Sequence, residues 1–287
     1  MDEEMHEPRD NKFIPMTSIT SRSGREVIND VYYYTDQIAN IVFLGYPDRG
    51  KWILVDAGLP GGADEIKSVV TERFGENSKP SAIILTHGHF DHVGGLVELV
   101  KEWNVPVYAH KLEMPYLTGE KSYPEPDPGV EGGLLAKISG MYPNEPIDLG
   151  DAVNPLPDDH TIPGLEDWEW IHTPGHSPGH VSFYRGSDAL LLSGDAFITV
   201  RQDSFYNVLM QTDEVNGPPR YLTTDWEAAK KSVAKLEALK PDMVIPGHGT
   251  AMQGEDLTEG LQELVQTFDQ TAKPDYGRYI EDGEQTH

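Results

Sequence analysis

Apolar positions along this chain follow two periods. Short runs that are apolar throughout, or that alternate, predict strands: VYYY from Val31, NIVFLG over Asn40 to Gly45, KWILV over Lys51 to Val55 and AIIL over Ala82 to Leu85. AIIL has no polar position, as expected of a strand covered on both faces. PVYA (Pro106 to Ala109), WEWI (Trp168 to Ile171), VSFY (Val181 to Tyr184), ALLL (Ala189 to Leu192) and MVIP (Met243 to Pro246) predict further strands. Helical spacing marks the intervening stretches. Ile66, Val69, Val70 and Phe74 predict a helix over 61–75, and a second is expected over 94–103. Asp225 is the N-cap expected for a helix over 226–239 with Ala229, Val233 and Leu236 inward. Leu257, Leu261, Leu264 and Phe268 predict the last helix. Strand and helix alternate on both sides of a proline-rich stretch, which predicts a layered α/β fold.

The proline-rich stretch covers 111–165 and carries nine prolines. It reads as loops around one short helix, forming a lid or pocket wall, with surface decoration as the alternative. Tyr116, Tyr123, Leu134, Leu135, Ile138 and Met141 are its candidates for a substrate pocket, completed by Phe197 and Tyr206. The chain as a whole, 1–287, reads as one domain, with peripheral tails at about 1–25 and 273–287.

Composition then narrows the function. With 22 Lys and Arg against 48 Asp and Glu, the net charge is −26, which repels nucleic acid and anionic membrane surfaces. A small-molecule substrate is the expected partner; the oligomeric state is left open. No run reaches the roughly 20 apolar residues of a membrane span. MDEEMHEPRD lacks the basic and apolar regions of a secretory signal, so a cytoplasmic protein is expected. Cysteine is absent, which removes thiolate metal sites, disulfides and cysteine nucleophiles together.

Histidine is the residue that carries chemistry. Seven of the 11 histidines lie in three short segments. These are Thr86-His87-Gly88-His89-Phe90-Asp91-His92, directly after AIIL; His172 to His180, which contains Thr173-Pro174-Gly175-His176; and Pro246-Gly247-His248-Gly249, directly after MVIP. Ser193-Gly194-Asp195 ends ALLL. Four ligand-type side chains within six residues cannot all face one way on a strand or helix, but a loop can wrap them around two neighbouring cations. Imidazole with carboxylate suits Zn2+, with Mn2+ and Fe2+ as alternatives.

This constellation resembles the metallo-β-lactamase superfamily over roughly residues 30–270. HxHxDH is matched by His87, His89, Asp91 and His92, and the downstream ligands by His176, Asp195 and His248. The resemblance implies a four-layer αββα sandwich with a dinuclear site at one edge. By that analogy His87, His89 and His176 hold one metal, Asp91, His92 and His248 the other, and Asp195 bridges them. The implied activity is that of a metallo-hydrolase using a metal-bridging hydroxide on the carbonyl of a small ester, lactone, thioester or amide. Asp91 would orient the nucleophile or shuttle its proton.

Asp56, which follows KWILV, is the carboxylate expected to orient a ligand histidine; otherwise it is a turn residue. His180 is expected to support the site rather than bind metal. A mononuclear iron dioxygenase of the persulfide dioxygenase type, and a catalytically silent binding protein, are the competing readings. The first is disfavoured because only Arg201-Gln202-Asp203 faintly echoes the expected Cys-Gly-Arg-x-Asp stretch, the second because no ligand is missing.

Overall fold

A computed structural model describes residues 5–7, 21–200 and 213–280. Two sheets carry the fold. The first runs β1 (Ser23–Ile28), β2 (Val31–Asp36), β3 (Ala39–Leu44), β4 (Ile53–Val55), β5 (Ala82–Ile84), β6 (Val107–Ala109) and β7 (Val153–Pro155) in sequential order. Its first four strands are antiparallel and its last four parallel. The second sheet contains β8 (Thr161–Ile162), β9 (Leu165–His172), β10 (Val181–Arg185), β11 (Leu190–Gly194), β14 (Met243–Pro246) and β15 (Met252–Gln253). Its order is β15-β14-β11-β10-β9-β8, with β11 and β14 parallel. A small separate antiparallel pair, β12 (Ile198–Val200) and β13 (Asp213–Asn216), comes between β11 and β14 in the chain.

Alternation along the strands sends neighbouring side chains into different cores. Ile53 and Val55 face the second sheet, where they meet Phe183, Leu190, Leu192 and Ile245. Leu54 between them faces α1 (Ala63–Phe74) and, after the short α2 (Phe90–Val93), α3 (Leu96–Trp103), packing with Ile66, Val70, Leu96 and Val100. In the second sheet Leu191 and Val244 point outward, onto α6 (Trp226–Glu237) and α7 (Gly254–Thr271). Helix, sheet, sheet, helix is therefore the layer order, as the resemblance implies. Leu257, Leu261, Leu264 and Phe268 are all buried, and the Asp225 side chain accepts a bond from the Ala228 N–H.

The sequence-based reading departs from the structure at the edges. β1 is mostly exposed, so its sequence SGREVI lacks an apolar face to reveal it. The 111–165 stretch also returns to the sheets, supplying edge strands β7 and β8 after the short helices α4 (Met114–Leu117) and α5 (Gly133–Ser139). At the C-terminal end, the Tyr279 hydroxyl donates to the Glu125 carbonyl at 2.6 Å and the Asp275 N–H to Glu131 at 3.0 Å, binding residues 275–279 to that stretch.

Strand direction places the chemistry. β4 and β5 run parallel, and so do β9, β11 and β14. Their C-terminal ends lead into Asp56, His87, His176, Asp195 and His248.

A buried histidine and aspartate cluster at the sheet edge

Three groups of side chains bring their ligand atoms within 4.8 Å of one another: His87, His89 and His176; His87, His92 and Asp195; and Asp91, His92 and His248. All seven residues are buried. The structure thus gathers every metal-ligand candidate of the sequence into one cluster. Asp195 sits centrally: Oδ2 lies 3.3 Å from His176 Nε2 and 3.2 Å from His248 Nε2, and Oδ1 lies 3.6 Å from His92 Nε2. His248 Nε2 also lies 3.4 Å from Asp91 Oδ2.

The outer ring nitrogens are anchored to the protein. His92 Nδ1 meets Asp56 Oδ2 at 2.8 Å, His248 Nδ1 the Ile38 carbonyl at 2.9 Å, and His176 Nδ1 the Thr223 hydroxyl at 3.1 Å. His87 Nδ1 meets the Thr86 hydroxyl at 3.0 Å. Each anchor leaves Nε2 turned inward. His89 is the exception, presenting Nδ1, 2.9 Å from His176 Nε2.

Besides His92, the two oxygens of Asp56 accept the Thr86 N–H and hydroxyl, each at 2.8 Å. Its backbone sits in the left-handed region, φ 63°, which aspartate tolerates better than most residues. His180 is held by Thr173 at Nδ1 and accepts the Asp195 N–H at Nε2, 2.8 Å, so both ring nitrogens are engaged and the ring positions the Asp195 backbone. Gly247 is needed for closeness, because a Cβ there would lie 2.1 Å from Asp195 Oδ1.

Electrostatics divide the cluster. Burial keeps His87 and His176 well below the usual imidazole range and lowers His89 to about 4, so these rings are neutral and their lone pairs available. His92 and His248 behave oppositely. Burial opposes their charge, but Asp195 and Asp56 raise His92 well above the usual range, and Asp195 and Asp91 raise His248 to about 10. Burial likewise opposes ionisation of Asp195, yet His248 and His92 hold it well below the usual carboxylate range. The two inner carboxylates therefore demand positive charge from their surroundings.

A fit to cations shows directly in the hydrogen bonding. Six buried side-chain nitrogen or oxygen atoms lack a hydrogen-bond partner among the described residues, and four of them are His87 Nε2, His92 Nε2, Asp91 Oδ1 and Asp195 Oδ1. An unsatisfied buried polar atom costs about 1–3 kcal/mol. Four facing the same small space are what divalent cations would satisfy.

The pocket candidates separate. Tyr116 and Tyr123 are buried and stacked on each other with centroids 3.9 Å apart, and Tyr123 packs edge-on against His89 at 4.4 Å. Ile138 packs partly buried on the cluster of Phe90, Tyr142, Ile198 and Tyr221. Met141 is exposed, and Phe197 is fully buried in the core with Trp226 and Phe268, away from any open wall. Leu134 and Leu135 lie on α5. Tyr206 lies outside the described residues.

Sequence reasoning missed several residues here. Asn40 Nδ2 donates to the Pro246 and Gly249 carbonyls, at 2.9 and 2.7 Å, holding the His248 loop to β3. Burial raises both Tyr142 and Tyr221; the Asp91 charge adds to this at Tyr142, and Tyr142 followed by Asp91 at Tyr221. Glu113 is fully buried and joins two of the histidine loops.

Comparison with known proteins agrees with this geometry. A family profile described as the metallo-beta-lactamase superfamily matches residues 34–248. The chain is 44% identical over 254 residues to "Probable metallo-hydrolase YflN" of Bacillus subtilis, covering 88% of this chain and 96% of that protein. A hydroxyacylglutathione hydrolase of Erwinia tasmaniensis is 30% identical over 160 residues, 56% of this chain and 48% of the relative. Among solved structures, TTHA1623 in a di-iron-bound form aligns with a TM-score of 0.50 at 30% identity, covering 75% of this chain and 89% of that one. The BLEG-1 B3 metallo-beta-lactamase aligns at 0.52 and 27% identity, covering 79% and 91%. With two sheets between helices, a histidine and aspartate cluster at their shared edge and these matches, the chain belongs to the metallo-beta-lactamase superfamily.

Proposed function

We propose that this protein is a dinuclear metal-dependent hydrolase acting on the carbonyl of a small, neutral, partly apolar ester, lactone, thioester or amide. His87, His89 and His176 would hold one cation, Asp91, His92 and His248 the other, and Asp195 would lie between the two. The carrying observation is the set of four orphaned buried atoms on opposed ligand side chains. Zn2+ suits the donor set, and the di-iron form of TTHA1623 keeps iron as the alternative.

Such a pair of cations, when bound, supplies Lewis acidity toward the carbonyl and acidifies a water to near neutral pH. The chain supplies the rest. Asp91, with one carboxylate oxygen on the cation, uses the other to hold the attacking water and accept its proton. Thr86, Asp56, Thr223 and the Ile38 carbonyl fix the imidazole orientations, so no rearrangement is required during the reaction. Phe90, Tyr142 and Tyr221, in edge and tilted contact 5.4 and 5.5 Å apart, form an apolar wall beside the cluster with two hydroxyls in it. The acidic surface disfavours polyanionic substrates.

The test is a panel of aryl esters, lactones, thioesters and β-lactams given to zinc-loaded and iron-loaded protein. Hydrolysis of one class, lost in Asp91→Asn, is expected. Dioxygen consumption with a persulfide substrate and no hydrolysis would instead favour the iron dioxygenase reading.

A further inference from the structure

One buried acid lies outside the proposed ligand set and touches two of the loops that carry it. Glu113 stands at the N-terminus of α4, in the proline-rich stretch, and is fully buried. Its two carboxylate oxygens divide their work. Oε2 accepts the Gly88 N–H at 3.0 Å and the Tyr123 hydroxyl. Oε1 accepts the Gly179 N–H at 2.7 Å and the Ser177 hydroxyl at 2.9 Å. Gly88 separates His87 from His89, while Ser177 follows His176 directly. One oxygen therefore serves each histidine loop.

The packing is built around this arrangement. A Cβ at Gly179 would lie 2.7 Å from Glu113 Cγ and 2.9 Å from its backbone nitrogen, so only glycine lets the second loop approach. Tyr123 donates to Glu113 while its ring packs on His89, closing a ring of contacts from the proline-rich stretch to the first group of histidines. Among the described residues no Lys or Arg pairs with Glu113. A fully buried carboxylate without a cation is costly, and four donors compensate it only in part. A cation at His87, His89 and His176 would supply the remaining charge.

We infer that Glu113 is the positioning residue of the His87, His89 and His176 group, stapling its two loops at the spacing one cation requires. The inference rests on the metal reading above. It predicts selectivity. Glutamine at 113 has one acceptor oxygen and one amide NH2, so in either orientation it opposes a donor N–H of one loop. Among the described residues its hydrogen bonds go to Gly88, Tyr123, Ser177 and Gly179, and none to Asp91, His92 or His248.

The experiment measures zinc binding calorimetrically in two backgrounds, each retaining one group. In His248→Ala, where the first group remains, Glu113→Gln should weaken zinc about 10–100-fold. In His176→Ala, where the second remains, the same change should leave affinity within about threefold, below the range for a lost orienting partner. Equal effects in both backgrounds, or none in either, would overturn the inference. If Glu113→Gln fails to fold, Ser177→Ala and Tyr123→Phe each remove a single donor. Selective weakening of the first group supports the role, and wild-type binding by both refutes it. Wild-type protein that takes up no zinc overturns the metal reading together with this one, whereas normal uptake with an indifferent Glu113→Gln overturns only the latter.

Discussion

Replacing Asp56 by asparagine changes one atom and tests how the cluster is oriented. Asp56 Oδ2 accepts both the Thr86 hydroxyl and His92 Nδ1, each at 2.8 Å. Oδ1 accepts the Thr86 N–H, an obligate donor, so an amide oxygen must stay there and NH2 must take the Oδ2 position. Thr86 can turn its hydroxyl to accept, but His92 Nδ1–H then faces another donor. The imidazole either loses its anchor or moves its proton to Nε2, the atom turned toward the cluster. Loss of such an orienting partner costs about 10–100-fold in metal affinity, or about 1.4–2.7 kcal/mol. One charge-assisted hydrogen bond lost from the fold costs about 1.5–3 kcal/mol. At about 2 °C per kcal/mol for a chain of this size, Tm should fall by about 3–6 °C. Calorimetric zinc titration and thermal unfolding read the two effects separately. Unchanged zinc affinity in a folded Asp56→Asn protein would refute the reasoning.

Three further outcomes follow from the same structure. Asp195→Ala should weaken both ions by about 10-fold or more, because its oxygens lie 3.2–3.6 Å from His92, His176 and His248; unaltered metal content by mass spectrometry would contradict this. Phe183→Ala removes a fully buried ring between the sheets and should cost about 3–5 kcal/mol in urea unfolding; a loss below about 1 kcal/mol would refute the inter-sheet core assignment. His110, lowered to about 4 by burial and by His172, is neutral when folded and takes a proton more readily when unfolded. Its contribution to stability is complete above about 6.5, the unfolded value, and is lost as pH falls toward 4. His110→Gln should flatten the stability profile in that window, and an unchanged slope would count against the assignment.

What could be read from the sequence follows from where information is local. AIIL, the ILV of KWILV and the VIP of MVIP are buried on both faces, so their runs of apolar residues announced them. The inward stripe of α7 repeats at helical spacing for the same reason. HxHxDH crowds four ligand-type side chains into six positions, a density that ordinary packing does not require. The missed residues act at long range. Asn40 bonds to carbonyls more than 200 positions away, and Glu113 to an N–H 66 positions away. In sequence Glu113 is one acid among 48 Asp and Glu, with no periodicity to mark it as buried. Phe197, three residues before the end of β12, looked like a pocket wall beside Asp195, but its side chain enters the core under α6 and α7. Proximity in sequence said nothing about the direction of that ring.

The most direct test of the account is metal stoichiometry joined to turnover. Purified protein, analysed by inductively coupled plasma mass spectrometry, should carry about two divalent ions per chain, one at His87, His89 and His176 and one at Asp91, His92 and His248. Exhaustive chelation should abolish hydrolysis of whichever ester, lactone or thioester the protein accepts, and returning zinc or iron should restore it. Full hydrolysis by protein shown to be metal-free would contradict the account.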